Sequence, residues 1–316
     1  MNQPNIPPVL PAAKTHKRFW GVLIGVAVGV LCELCGYLLM RGNQEQFGTV
    51  VFILVPFIAG FFIAILTPNG TRLVACLVGT LLLTLSILIF IGLEGYICCF
   101  MALPLLFVGV GLGVRIGMGF KDRFINGKKN SSQIKMLLLF SAALMLVGAK
   151  NLEQPFIENP RYETFEQRVT IAAPPAKAWD LIKAMNRLDA HKPFLLQLGL
   201  PIPQSCEVDK EAVGGKRICH FNSGIIAQEI TEWYRPDSMK FKITDCTLPG
   251  RHWLRFVEAG YEFIPDGDKT IVVRKTMISS KLYPRWYWRN FEAWGVQSEH
   301  EFVLIDLKRR AELESQ

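Results

Sequence analysis

Acidic residues are scarce in the first 150 positions: only Glu33, Glu45, Glu94 and Asp122 stand there, against twelve lysines and arginines. The 35 basic and 27 acidic residues of the whole chain leave 23 of each for the second half, so the formal charge of +8 belongs entirely to the first. A nucleic-acid binder carries its excess base on a folded polar surface. Here the half able to form such a surface is neutral, which excludes nucleic acid as the expected partner. Signatures of common chemistries are also missing. There is no H-E-x-x-H, no G-x-S-x-G, no phosphate-binding loop and no Cys/His cluster at zinc spacing. No catalytic residue, metal or cofactor is therefore expected.

What the first half has instead is apolar length. About 20 consecutive apolar residues in a helix cross the roughly 30 Å hydrocarbon core of a bilayer. Runs of that kind occupy 20–40, 50–66, 73–93 and 96–114, and a shorter one occupies 134–147. Five spans are expected, the first an uncleaved anchor, because it is longer than the apolar region of a secretion signal and four more follow. Cations accumulate in cytoplasmic loops. With the N-terminus inside, that side holds Lys14, Lys17, Arg18, Arg72, Arg115, Lys121, Arg123, Lys128, Lys129 and Lys135, against Arg41 and Lys150 opposite. A multi-pass protein of the bacterial inner membrane is expected, with residues 151–316 periplasmic or extracellular. If the fifth run does not cross, that domain is cytoplasmic.

Gly21, Gly25 and Gly29 lie four apart on the first span, as do Gly109, Gly113 and Gly117 on the fourth. Such stripes leave a groove for close helix packing, inside the bundle or between copies in a homo-oligomer. Glu33 lies deep within the first span, where an ionisable group is either functional or a hydrogen-bonded structural acid. Cys32 and Cys35 flank it, and Cys98 and Cys99 open the fourth span. Paired thiols resemble those of membrane thiol oxidoreductases, an alternative to a binding role, although thiols in hydrocarbon behave as small apolar groups.

After a connector at 151–163, containing Pro155 and Pro160, the composition becomes that of a single domain. Glu166–Ile171 alternates as a strand, and Pro174-Pro175 opens a helix over Ala176–Met185. Six strand-like runs follow: Glu207–Ala212, Arg217–Phe221, Ile225–Tyr234, Met239–Cys246, Trp253–Ile264 and Thr270–Ser279. The chain closes with an amphipathic helix over Trp286–Leu313. The run Val169–Asp180, a strand leading into a Pro-led, Trp-bearing helix, and the aromatic-rich final helix with Glu299-His300 resemble the START-like, SRPBCC superfamily of polyketide cyclase and lipid-transfer domains. The likeness extends over 164–316. It implies an α+β helix-grip fold, an antiparallel sheet wrapped around the last helix, beside an α-helical transmembrane bundle. It also implies an apolar cavity that takes a lipid or other hydrophobic small molecule.

Strand pairing predicts which residues line that cavity. A three-residue Asn222-Ser223-Gly224 hairpin and a two-residue Pro236-Asp237 turn put Ile218, His220, Ile226, Gln228, Ile230, Phe241, Ile243 and Asp245 on one face. His220, Gln228 and Asp245 are then the polar groups on an apolar wall, either orienting a ligand or satisfying one another. On the later hairpin Tyr261 and Arg274 share the inner face, with Arg274 available to an anionic head group. Trp288 and Phe291 of the final helix complete the wall. Glu299 and His300, adjacent on a helix, point apart and are expected at its solvated or core edge. In this register Cys219 and Cys246 are too far apart for a disulfide, and Cys206 has no partner. The expected function is membrane-anchored binding of a lipid or hydrophobic small molecule, with lipid transfer or a cyclase-like reaction as variants.

Overall fold

The computed structural model describes residues 12–41, 48–67, 70–91, 95–125, 131–183, 185–186, 188–251 and 253–313. The chain divides into two compact units: one, ending at Leu152, is helical, and the other is built mainly from Glu153 onward.

The helical unit contains α1 (Ala12–Arg41), α2 (Val55–Leu66, entered through a π-helical turn at Val50–Leu54), α3 (Thr71–Phe90), α4 (Tyr96–Phe120, running into a π-helical turn at Lys121–Ile125) and α5 (Ser131–Glu158). By length and composition Thr71–Phe90, Tyr96–Ile125 and Gln133–Ile157 suffice to cross a membrane, and Val22–Leu38 and Val50–Leu66 are shorter apolar helices. The fifth run is thus longer than its apolar stretch suggests. Its helix continues through Pro155 and most of the expected connector, and stops just before Asn159-Pro160, where the second proline disfavours helical backbone at the preceding residue. The apolar side chains of α5 are not covered by the rest of the unit: Leu137, Phe140 and Leu144 are 70%, 69% and 75% exposed. Lys128 and Lys129 lie outside the described residues, as do the side chains of Lys14, Lys17, Arg18, Gly21 and Arg41.

Both glycine stripes are used within the chain. Gly25 meets Thr67 and Cys76, and Gly29 meets Ile63 and Thr80. Gly109, Gly113 and Gly117 lie against the backbone carbonyls of Ile53, Phe57 and Phe61, so α4 packs on α2 and its entry turn at backbone distance. At the positions described, both grooves are filled by the protein's own helices, the packing inside the bundle that the stripes suggest. Lys121 extends this packing by donating from Nζ to the carbonyls of Ala64 (3.2 Å) and Thr67 (2.6 Å), a cation at the C-terminus of α2. Glu33 is buried in the bundle beside Thr84 of α3.

The second unit is a seven-stranded antiparallel sheet in the order β1-β7-β6-β5-β4-β3-β2. Its strands are β1 (Arg161–Ile171), β2 (Pro203–Val208), β3 (Lys216–Phe221), β4 (Gly224–Tyr234), β5 (Ser238–Cys246), β6 (Leu254–Asp266) and β7 (Lys269–Ser280). Between β1 and β2 run α6 (Pro175–Lys183) and the single turn α7 (Phe194–Gln197), and α8 (Arg285–Leu313) ends the chain. The sheet curls around α8, a helix grip. Sequential hairpins account for every pairing except β1 with β7, which brings the first strand beside the last.

The main core joins Trp179 and Ile182 of α6 and Val303, Leu304 and Leu307 of α8 to the inner face of the sheet at Ile230, Phe241, Phe263 and Val272. A second cluster joins Phe165, Ile278 and Val296. Three acids seven residues apart, Glu292, Glu299 and Asp306, also lie on the covered side of α8, because seven residues are within about 20° of two full turns. Each is answered. Glu292 accepts from Ser280 and Arg161, Glu299 pairs with Arg274, and Asp306 accepts from the backbone N–H of Asp189 (3.0 Å) and from Arg309 and Arg310.

The tight α4 contact is testable. A Cβ at Gly113 has no room beside the Phe57 carbonyl, whereas one at Gly119 meets nothing within 4 Å. Gly113→Ala should lower the stability of the detergent-solubilised chain by about 1–3 kcal/mol, and Gly119→Ala should be neutral or slightly stabilising. Equal melting of the two variants would remove the contact.

Candidate ligand-binding site

The inner face of the sheet differs from expectation by one residue on β3. Phe221 pairs with Gly224 across a two-residue Asn222-Ser223 loop, so Ile218 opposes Ala227 and Arg217 opposes Gln228. A one-residue change of register moves every side chain to the other face. His220 and Ile218 are therefore off the inner face, and Arg217 and Cys219 are on it, both buried. On β5 a bulge at Thr244 changes the parity: Gln228 pairs with Ile243 and Ala227 with Asp245. Asp245 is exposed and accepts from the N–H of Cys246 (2.8 Å), so it too leaves the wall, while Ile243 stays half-buried opposite Gln228. The turn before β5 takes three residues, and Tyr234 pairs with Ser238.

The cysteines depend on the neighbouring β2 register. Strand β2 begins at Pro203, earlier than its alternation suggests, and brings Cys206 opposite Cys219, where the two form a disulfide. Cys246 pairs in register with Ile226 instead. The expectation that Cys206 has no partner is thus corrected; the rejected Cys219 to Cys246 bridge is indeed not formed. Cys32 is half-buried and Cys35 exposed on α1, with no disulfide between them.

A polar layer crosses the grip between the two apolar clusters. Arg217 Nη1 donates to Gln228 Oε1 at 2.9 Å, and its guanidinium lies 4.7 Å from the centre of the Phe241 ring. Arg274, opposite Tyr261 in register, donates to the tyrosine hydroxyl at 2.6 Å. Its Nη2 also reaches both carboxylate oxygens of Glu299, at 2.6 and 2.7 Å. Of Glu299 and His300, expected at the solvated or core edge, Glu299 is half-buried, whereas His300 lies inside, fully buried, with Nε2 2.7 Å from the Thr276 hydroxyl. Trp288 is buried and donates from Nε1 to Tyr283 O (3.2 Å). Phe291 is half-buried against Tyr287 and Trp288, so these rings form an aromatic group in the first turns of α8.

Burial opposes the Arg274 charge, but the Glu299 carboxylate and Tyr261 outweigh it and hold its pKa above the ordinary arginine value. Arg217 is pushed down to about 10 by burial, with Tyr261 opposing, and remains cationic at neutral pH. Burial, aided by Arg274, pushes His300 down to about 2, so its imidazole is neutral. Among the described residues no group of three His, Cys, Asp or Glu could hold a metal ion. Between β1 and α8, Glu166, Gln167, Trp294, Gln297, Ser298 and Glu301 line a groove of about 370 Å³.

Residues 162–312 match the family described as polyketide cyclase / dehydrase and lipid transport. The C-terminal half is an SRPBCC-like domain. Among solved structures, it is similar to norcoclaurine synthase from Thalictrum flavum (12% identity over 51% of this chain and 91% of that one, TM-score 0.36). It is also similar to the ZhuI aromatase/cyclase from Streptomyces sp. R1128 (16%, 49% and 97%, TM-score 0.36) and to a START superfamily protein from Mycobacterium smegmatis (12%, 48% and 98%, TM-score 0.35). No curated protein matches the chain. The family description supports a domain that binds a hydrophobic ligand.

Two outcomes are expected of this SRPBCC-like domain. Peptide mapping of cells whose thiols are alkylated at harvest should recover Cys206 joined to Cys219, and reducing a bridge that closes a loop of this length should cost about 3 kcal/mol. Recovery of either cysteine joined to a different partner contradicts the pairing. For His300, the unfolded chain takes up a proton near its ordinary pKa of 6.5 while the folded one does not, so stability falls as pH drops below that value. The loss between pH 6.5 and 5 should be about 2 kcal/mol greater in the unaltered chain than in His300→Gln, measured by urea unfolding. Equal losses would show that the imidazole charges freely in the folded domain.

Proposed function

We propose that the chain is a membrane-anchored carrier that takes a lipid or similar hydrophobic small molecule into the grip between the sheet and α8. The observation that carries the reading is the joining, in one chain, of an SRPBCC-like domain to helices whose apolar surface nothing in their own unit covers, α5 above all. Exposed leucine and phenylalanine along 25 residues suit hydrocarbon. A poorly soluble ligand partitions into a bilayer, and a tethered pocket meets it there at high effective concentration.

Five membrane crossings with a cytoplasmic N-terminus put the SRPBCC-like domain on the far side. The cation bias of the loops supports this topology, as does the length of α5, and a Cys206–Cys219 bridge suits an oxidising compartment. Thiol trapping that finds both cysteines reduced in the cell argues for the cytoplasmic side instead.

The direct test is native mass spectrometry with lipid extraction on the full chain in mild neutral detergent. One apolar molecule per chain should be retained and identified in the extract, and exchange to lipid vesicles should strip it if the protein transfers lipid. A chain that comes out empty and takes up no fatty acid, fatty alcohol or sterol overturns the reading.

A further inference from the structure

We propose that the ligand is an amphiphile with an oxyanion head, a carboxylate or a phosphate monoester on an apolar chain, and that Arg217 holds that head. The inference rests on the ligand-binding reading and adds the chemistry of the head group. Arg217 is only 3% exposed, and Nη1 is its one partnered nitrogen; Nε and Nη2 are buried with no hydrogen-bond partner. Those two nitrogens form one edge of the planar guanidinium, the edge that takes a carboxylate or phosphate through two parallel hydrogen bonds.

The charges around it leave that edge without a protein anion. The ionisable groups near enough to act on Arg217 are Tyr261, Arg274 and Glu299. Both oxygens of Glu299 are taken by Arg274, which also holds the Tyr261 hydroxyl. Gln228 is neutral. Two guanidinium groups therefore share one carboxylate, and the interior keeps one unbalanced positive charge. A buried charge without a counter-charge is strongly unfavourable. Water could fill the unpartnered donors but would leave the charge, whereas an oxyanion answers both. The surroundings suit the rest of an amphiphile: Phe241 lies beneath the guanidinium, and Ile230 and Tyr261 belong to the same buried cluster. Arg274, the arginine singled out by the strand pattern for an anionic head, is committed to Glu299. Arg217 replaces it.

Three ligands of equal chain length decide the matter: palmitate, hexadecyl phosphate and hexadecanol, titrated into the full chain in neutral detergent and followed by native mass spectrometry. At least one oxyanion should bind about 10-fold or more tightly than the alcohol, and the preferred one identifies the head. Arg217→Met should remove this preference, so that the three ligands bind with equal affinity. Equal affinities in the unaltered chain overturn the oxyanion proposal while leaving the hydrophobic-ligand reading in place; no binding of any of the three overturns both. A preference that survives in Arg217→Met overturns the assignment to Arg217. Should that variant fail to fold, the comparison of ligands on the unaltered chain still decides whether an oxyanion is selected.

Discussion

The grip depends on burying a helix that is not wholly apolar. On its covered side α8 carries Glu292, Glu299 and Asp306 at seven-residue intervals, and each carboxylate must be answered within the fold. Glu299 shows the consequence most clearly. Its bidentate pair with Arg274 ties the middle of α8 to β7, while Glu292 reaches Ser280 and Arg161 and Asp306 holds the backbone at Asp189. Removing one partner of such a pair leaves an uncompensated buried charge, which is why these contacts define where the helix lies as well as that it is covered.

That arrangement also sets the electrostatics of the interior. With Glu299 consumed by Arg274, no acid among the described residues remains for Arg217, and the neutral His300 adds no charge of either sign. The buried cluster that holds Ile230, Phe241 and Phe263 thus carries one cationic edge. Apolar lining with few, directed polar groups is how pockets accept hydrophobic molecules and still orient them.

Much of the architecture was legible along the chain. The five apolar runs, the strand leading into a Pro-led helix, the six hairpin-linked strands and the long last helix are local patterns, written in hydrophobic period and turn residues. The inner face of the sheet was half legible: Gln228, Ile230, Phe241, Tyr261 and Arg274 do lie inside, whereas His220 and Asp245 do not. Alternation names two faces, and the more apolar one on β3, with Ile218 and His220, is the expected inner face; the hairpin length, which alternation does not fix, puts Arg217 and Cys219 there instead.

Composition and periodicity alone settle that this chain has an apolar helical half and a run of hairpin-linked strands followed by a long amphipathic helix, because burial of apolar surface depends on spacing along the chain. Only tertiary structure decides the rest. A hairpin loop one residue shorter and a bulge at Thr244 turn Arg217 inward and His220 and Asp245 outward, and the register of β2 on β3 brings Cys206 to Cys219. The fate of Arg274 depends on Glu299, which is 25 positions away in the chain and across the grip in space. Such pairings have no local signature, since the sequence states which charges exist and the fold states which of them meet.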